Sequence, residues 1–206
     1  MKPLLAAVLL AAGLARAESP TERLLEAIAQ GKEPVAAILV LGGNVDLEVR
    51  NKSRETPLHL AAEKGMRALT RLLLDAGARV HARTATGETA LHHAALDEDP
   101  ECTRLLLDAG ADPRALNDHG ESALHWAAYG GNDAVVSLLL ERGADPDAVN
   151  LDGNLALHGA AAAGHASTVR LLLAPTREPG LKNLEGKTPA DLARERGYEA
   201  VAALFP

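Results

Sequence analysis

The sequence predicts an all-α solenoid of about six helix pairs joined by short β-turn fingers, with degraded capping repeats at both ends. Three observations carry this. Thr56, Thr89, Ser122, Leu155 and Thr188 each lie 33 residues after the last, and they head the related strings TPLHLAAEKG, TALHHAALDE, SALHWAAYGG, LALHGAAAAG and TPADLARERG. Leucine triads at 72–74, 105–107, 138–140 and 171–173 keep the same period. Turn-forming residues punctuate each unit at fixed offsets, among them Gly110 and Gly143, each followed by Ala-Asp.

Residues 84–116 show how one unit is built. Thr84-Ala85-Thr86-Gly87 reads as a turn. Thr89 is a good N-cap for a short helix running to about Asp97. Glu98-Asp99-Pro100 breaks the chain, and a second helix follows from about Glu101 to Ala109, where Gly110 supplies the left-handed stop. Each helix is too short to be stable alone in water. Small Ala on one side and Leu on the other give faces that only a neighbouring unit can cover, so the units must stack. The expected divisions are a leader at 1–17, an N-terminal capping repeat at 18–50, full repeats at 51–83, 84–116, 117–149 and 150–182, and a C-terminal capping repeat at 183–206. The last unit replaces Leu-His with Ala190-Asp191, and Thr176 stands where a glycine is usual, which predicts a distorted turn there.

Residues 1–17 read as a cleavable secretory signal: Lys2, an apolar stretch from Leu4 to Leu14, and Ala15-Arg16-Ala17 before Glu18. Cleavage is expected after Ala17, with the mature chain periplasmic or secreted and without membrane insertion. The apolar run falls far short of the roughly 20 residues that span a bilayer. Removing the leader lowers Lys+Arg from 21 to 19 against 28 Asp+Glu, so the formal charge moves from −7 to −9. That sign disfavours phosphate backbones, and a nucleic-acid partner is set aside. The single cysteine, Cys102, permits no internal disulfide and aligns with the apolar Leu69 and Val135, as a small buried hydrophobe would.

Thr56-Pro57-Leu58-His59-Leu60-Ala61 together with the period, the Gly-Ala-Asp segments and the leucine triads resembles the ankyrin-repeat family. The short, alanine-rich leader adds the expectation of an exported bacterial member. The resemblance implies a non-catalytic protein-binding module. In such stacks the turn tips and the exposed side of the first helices form one concave surface. Carried over repeat by repeat, its candidate contact residues are Thr84, Glu88, Leu96, Asp97, Asp118, His119, Glu121, Trp126, Tyr129, Leu151, Asp152 and Asn154. The acids among them predict an acidic central groove with Tyr129 at its floor and a partner protein that offers a basic or arginine-bearing surface. The resemblance leaves two settings open: an inhibitor or immunity-type protein for an envelope toxin or hydrolase, or an assembly or stability factor for a periplasmic enzyme.

No cofactor motif accompanies these residues, and no catalytic or metal-binding set is assigned. His59, His92, His125 and His158 repeat every 33 residues like a ladder. Neighbouring helices pack roughly 8–10 Å apart, too far for adjacent rungs to share a zinc ion. The resemblance implies that these histidines hold the adjoining turns. His93, His119 and His165 break the pattern, and His119, in a turn, is the one singled out for a ligand contact. The acids Asp97, Glu98, Asp99 and Glu101 lack the spacing and central glycine of a calcium loop and read as a solvated helix junction, with cation binding there as the remaining reading. Trp126 is expected to pack between first helices, with Tyr129 exposed one turn on. A true site would show as polar residues that break the period and converge. On that criterion only the turn from Asn44 to Glu55 and the Asp97 cluster stand out.

Overall fold

The computed structural model describes residues 19–205. The expected leader at 1–17 lies outside the described residues. Six helix pairs follow in order: α1 (Pro20–Ala29) and α2 (Glu33–Leu41), α3 (Pro57–Glu63) and α4 (Arg67–Asp75), α5 (Ala90–Ala94) and α6 (Glu101–Asp108), α7 (Ala123–Gly130) and α8 (Asp133–Glu141), α9 (Ala156–Ala163) and α10 (Ala166–Leu173), α11 (Pro189–Glu195) and α12 (Glu199–Ala202). Among the described residues there is no strand. Two isolated antiparallel bridges, Leu116 with Ser122 and Val149 with Leu155, mark the bases of fingers.

First helices stack in one row, α1 through α11, and second helices in another, with the row thinnest between α6 and α8. Alanine sets the inner spacing: Ala61, Ala62, Ala94, Ala95, Ala127, Ala128, Ala160 and Ala161 are all fully buried. The middle leucine of each triad, Leu73, Leu106, Leu139 and Leu172, is likewise sealed and forms a continuous apolar spine. Cys102 is buried in this core as its alignment predicts, and burial pushes its thiol pKa up.

The fingers hold one another through backbone bonds at the repeat period. Ala85 N–H donates to Ser53 O, Asp118 N–H to Thr86 O, Leu151 N–H to His119 O and Leu184 N–H to Asp152 O, all at 2.9–3.0 Å. Within a finger, Asn51, Asn117, Asn150 and Asn183 each accept with Oδ1 from the amides two and four residues on. Thr84 does the same with its hydroxyl.

The histidine ladder ties helices to fingers. His59 Nδ1 accepts from the Thr56 amide at 3.2 Å, while Nε2 faces Glu88 O at 3.2 Å. The same bridge joins His92 to Glu121 O, His125 to Asn154 O and His158 to Lys187 O at 3.0, 3.1 and 3.3 Å. An amide can only donate and a carbonyl can only accept, so each ring is the neutral tautomer with its proton on Nε2. Burial of that neutral form drives His59 and His92 from 6.5 down to about 4, and lowers His125 and His158 as well. In the last unit Asp191 takes the histidine's place. It accepts from the Thr188 amide and hydroxyl at 3.0 and 2.8 Å but spans no further finger.

Two elements depart from the period. Helix α5 ends at Ala94, short of the expected Asp97, because Glu98 occupies the position of the left-handed Gly65, Gly131 and Gly164 and does not adopt a positive φ. The chain turns instead on its acids: Asp97 Oδ1 accepts from the Asp99 amide, Asp99 Oδ1 from the Glu101 amide, and Arg67 pairs with Asp99. The acidic cluster is thus a helix junction. At the end of α10, the buried Thr176 hydroxyl donates to Leu172 O at 2.7 Å in place of the missing glycine turn.

Arg54 has φ 61°, at the finger position where Gly87, Gly120, Gly153 and Gly186 sit. A side chain is disfavoured there by roughly 1 kcal/mol. Arg54→Gly is therefore expected to raise unfolding stability by about 1 kcal/mol less its gain in chain entropy, read as a higher urea midpoint; a lower midpoint would contradict it.

The ladder gives a second expectation. Unfolded histidines titrate near 6.5, whereas folded His59 and His92 stay neutral down to about 4. The unfolded chain therefore binds more protons in that window. Stability is fully present above pH 6.5 and falls as pH drops towards 4, on the order of 3 kcal/mol for each of these two residues. Urea unfolding at pH 7, 6, 5 and 4.5 measures this, and His92→Gln should flatten the slope by about one proton.

Candidate protein-binding surface

A groove of about 650 Å³ runs from Leu96 in the 84–116 unit to the C-terminal capping repeat. Its wall on the helix side comes from the exposed face of successive first helices. Leu96 follows α5, Tyr129 ends α7, and Gly159 and Ala162 lie on α9, where small residues let the groove deepen. The finger side supplies Glu121, Asp152, Asn154, Glu185 and Lys187. Leu192, Glu195 and Arg196 close the C-terminal end.

Tyr129 is 60% exposed and Leu96 50%. Trp126 is half-buried beneath them. Its indole N–H donates to Glu121 Oε2 at 2.9 Å, and its ring meets His92 edge-on at 5.6 Å. Glu121 also accepts from Asn117 Nδ2 at 3.2 Å. This carboxylate therefore positions the tryptophan and the finger, with both contacts drawn from its own unit.

The groove gathers Leu96, Glu121, Trp126, Tyr129, Asp152 and Asn154 from the candidate contact residues. The others lie elsewhere. Thr84 is buried, its hydroxyl donating to Glu88 Oε2 and accepting from the Glu88 amide, which corrects the expectation of an exposed turn tip. Glu88 is half-buried, held by Thr84 and Thr86, and these hydroxyls keep its carboxyl below the usual range against the opposing effect of burial. Asp97 caps the junction after α5. Asp118 lies not in the groove but in a separate depression along the preceding fingers, together with Arg50, Arg54, Arg79 and Arg83. His119 and Leu151 are exposed at finger tips.

The charge of the groove is correspondingly graded. At its centre Asp152 is exposed and Glu121 is engaged with Trp126. At its C-terminal end Lys187 is bound to Glu195 at 2.8 Å and Glu185 at 3.1 Å, which offsets acid with base. Arg50 and Arg83 donate to backbone carbonyls of the next finger, Arg83 O and Leu116 O, so these guanidiniums stitch fingers together.

Sequence reasoning missed one constellation. His93 in α5 is 7% exposed, and its ring lies edge-on to His59 at 5.4 Å and 5.9 Å from Trp126. It faces Glu63 from the preceding unit. The signal was present: across the repeats, position 93 aligns with Leu60, Trp126 and Gly159, and position 63 with Leu96, Tyr129 and Ala162. Both positions break the pattern with a polar residue.

A family model for ankyrin repeats matches the chain in three overlapping copies, at residues 24–117, 68–150 and 124–206. Comparison with curated proteins gives no significant match. Among the described residues no helix is long and apolar enough to cross a membrane. The repeated TPLH-type helices, the bridging histidines and the family match together place this chain in the ankyrin-repeat family, whose repeats serve as protein–protein interaction modules.

Proposed function

We propose that this protein is an exported, non-catalytic binding module that captures a partner protein in the groove around Tyr129. The carrying observation is the exposed Tyr129–Leu96 pair on the floor of a groove whose centre is acidic. Aromatic residues in a central depression are favoured binding anchors. The exposed Asp152 suits a partner that brings an arginine or a basic loop. Such complementarity speeds encounter and fixes register more than it sets affinity. The export half of the proposal rests on the leader-like residues 1–17, and the mature chain then begins at Glu18.

The test compares capture of envelope proteins by the full mature chain and by Tyr129→Ala with Asp152→Arg. Loss of the aromatic anchor is expected to cost about 2 kcal/mol, roughly thirtyfold in affinity, and the reversed charge to slow association further. Undiminished capture by the double variant would remove the groove from the proposal. N-terminal sequencing of the protein recovered from the cell envelope or medium checks cleavage after Ala17.

A further inference from the structure

We propose that Glu55, Glu63 and His93 form a binding site for a divalent transition-metal ion of the zinc type on the N-terminal part of the concave face. One carboxylate oxygen from each glutamate and a ring nitrogen of His93 all lie within 4.8 Å of one another. The three come from separate elements: Glu55 from a finger, Glu63 from the end of α3, and His93 from α5 of the next unit. Only the stacking of two units brings them together.

The histidine itself points to a ligand. Its side chain is only 9% exposed, and among the described residues neither ring nitrogen makes a hydrogen bond, Nε2 being buried without any partner. Nδ1 faces Glu63 Oε2 across 4.0 Å, too far for a hydrogen bond and wide enough for an ion between them. Every ladder histidine, by contrast, has both nitrogens engaged. Among the described residues no lysine or arginine pairs with Glu55 or Glu63, so the two carboxylates converge on the imidazole without a fixed cation.

The donor set selects the ion. Imidazole suits zinc, nickel and copper, whereas magnesium and calcium call for oxygen-rich cages. Zinc bonds of about 2.0–2.2 Å set tetrahedral ligands roughly 3.3–3.5 Å apart. Closing from at most 4.8 Å to that spacing requires a shift of up to about 1.5 Å. Glu63, whose side chain is 47% exposed, is free to rotate, whereas Glu55 is anchored. Asn51 Nδ2 donates to Glu55 Oε2 at 2.5 Å, which leaves the other oxygen for the metal.

The site is specific to this one junction. One unit further on the equivalent positions are Glu88, Leu96 and Trp126, and two units on they are Glu121, Tyr129 and Gly159. Neither set offers three ligands. Trp126 is the chain's only tryptophan, and its ring lies 5.9 Å from that of His93. A paramagnetic ion bound here would therefore quench its emission.

The test uses the full mature chain, untagged and treated with chelator. Zinc is titrated by calorimetry and thermal melting, and cobalt by tryptophan quenching and visible absorption. One equivalent is expected to bind with a raised Tm that chelator reverses, since a ligand specific for the folded state must stabilise it. Cobalt should quench Trp126. Glu63→Gln and His93→Leu are each expected to weaken binding at least about tenfold. His119→Ala and His165→Ala, both remote from the cluster, should leave it unchanged. Far-UV circular dichroism reports whether His93→Leu folds; should it not, Glu63→Gln at its exposed position decides alone. Absence of saturable zinc binding, or binding that survives Glu63→Gln with undiminished quenching, would overturn the site.

Discussion

One hydrogen bond, made four times, organises this protein: the imidazole Nε2–H of a helix reaching the backbone carbonyl of the next unit's finger. It joins local to long-range structure. The Nδ1 side caps the helix of its own unit, so the ring is fixed before it reaches its neighbour. Because finger and helix are then locked in register, the alanine faces meet at close range and the leucine spine is continuous. The neutral tautomer is a condition of this arrangement. Protonation would place a second donor against an amide that cannot accept. In the final unit Asp191 keeps the capping half of the device and drops the bridging half, as a stack that has reached its end requires.

Much of the fold was legible because it repeats. Positions that obey the period, such as His92, Leu106, Ala128 and Cys102, take identical environments, and one unit explains the rest. The shortened α5 was less legible. The break at Glu98 was visible, but its cost to the helix depends on whether the backbone takes a left-handed turn there, and Glu98 does not.

The binding surface was only half legible for a related reason. Position in a repeat assigns a residue to a finger, but not to one side of it. His119 and Asp152 share a repeat position, yet the first stands exposed at a finger tip outside the groove and the second lines it. Local hydrogen bonds then decide which polar groups are available. Thr84 is consumed by Glu88, and Glu121 by Trp126. His93 is visible in the sequence as a break in the pattern, but its pairing with Glu63 is not, because each alone reads as an ordinary irregularity. Their meaning lies in the lateral step from one unit to the next, which places residues 30 apart in sequence side by side.

The thin outer contact between α6 and α8 lies beside the shortened α5, and across it the buried Asn132 side chain reaches back to donate to Ala95 O at 2.8 Å. Repeat stacks transmit force only between nearest neighbours, so their stiffness is that of the weakest interface in the series. Across this step the two arms are held mainly by the first-helix row and the Asn132 bond, which makes it the joint at which the stack has least to resist bending. The joint divides α1–α6 from α7–α12, and the half-buried indole of Trp126 is seated against it, where any bending of the two arms must change its surroundings.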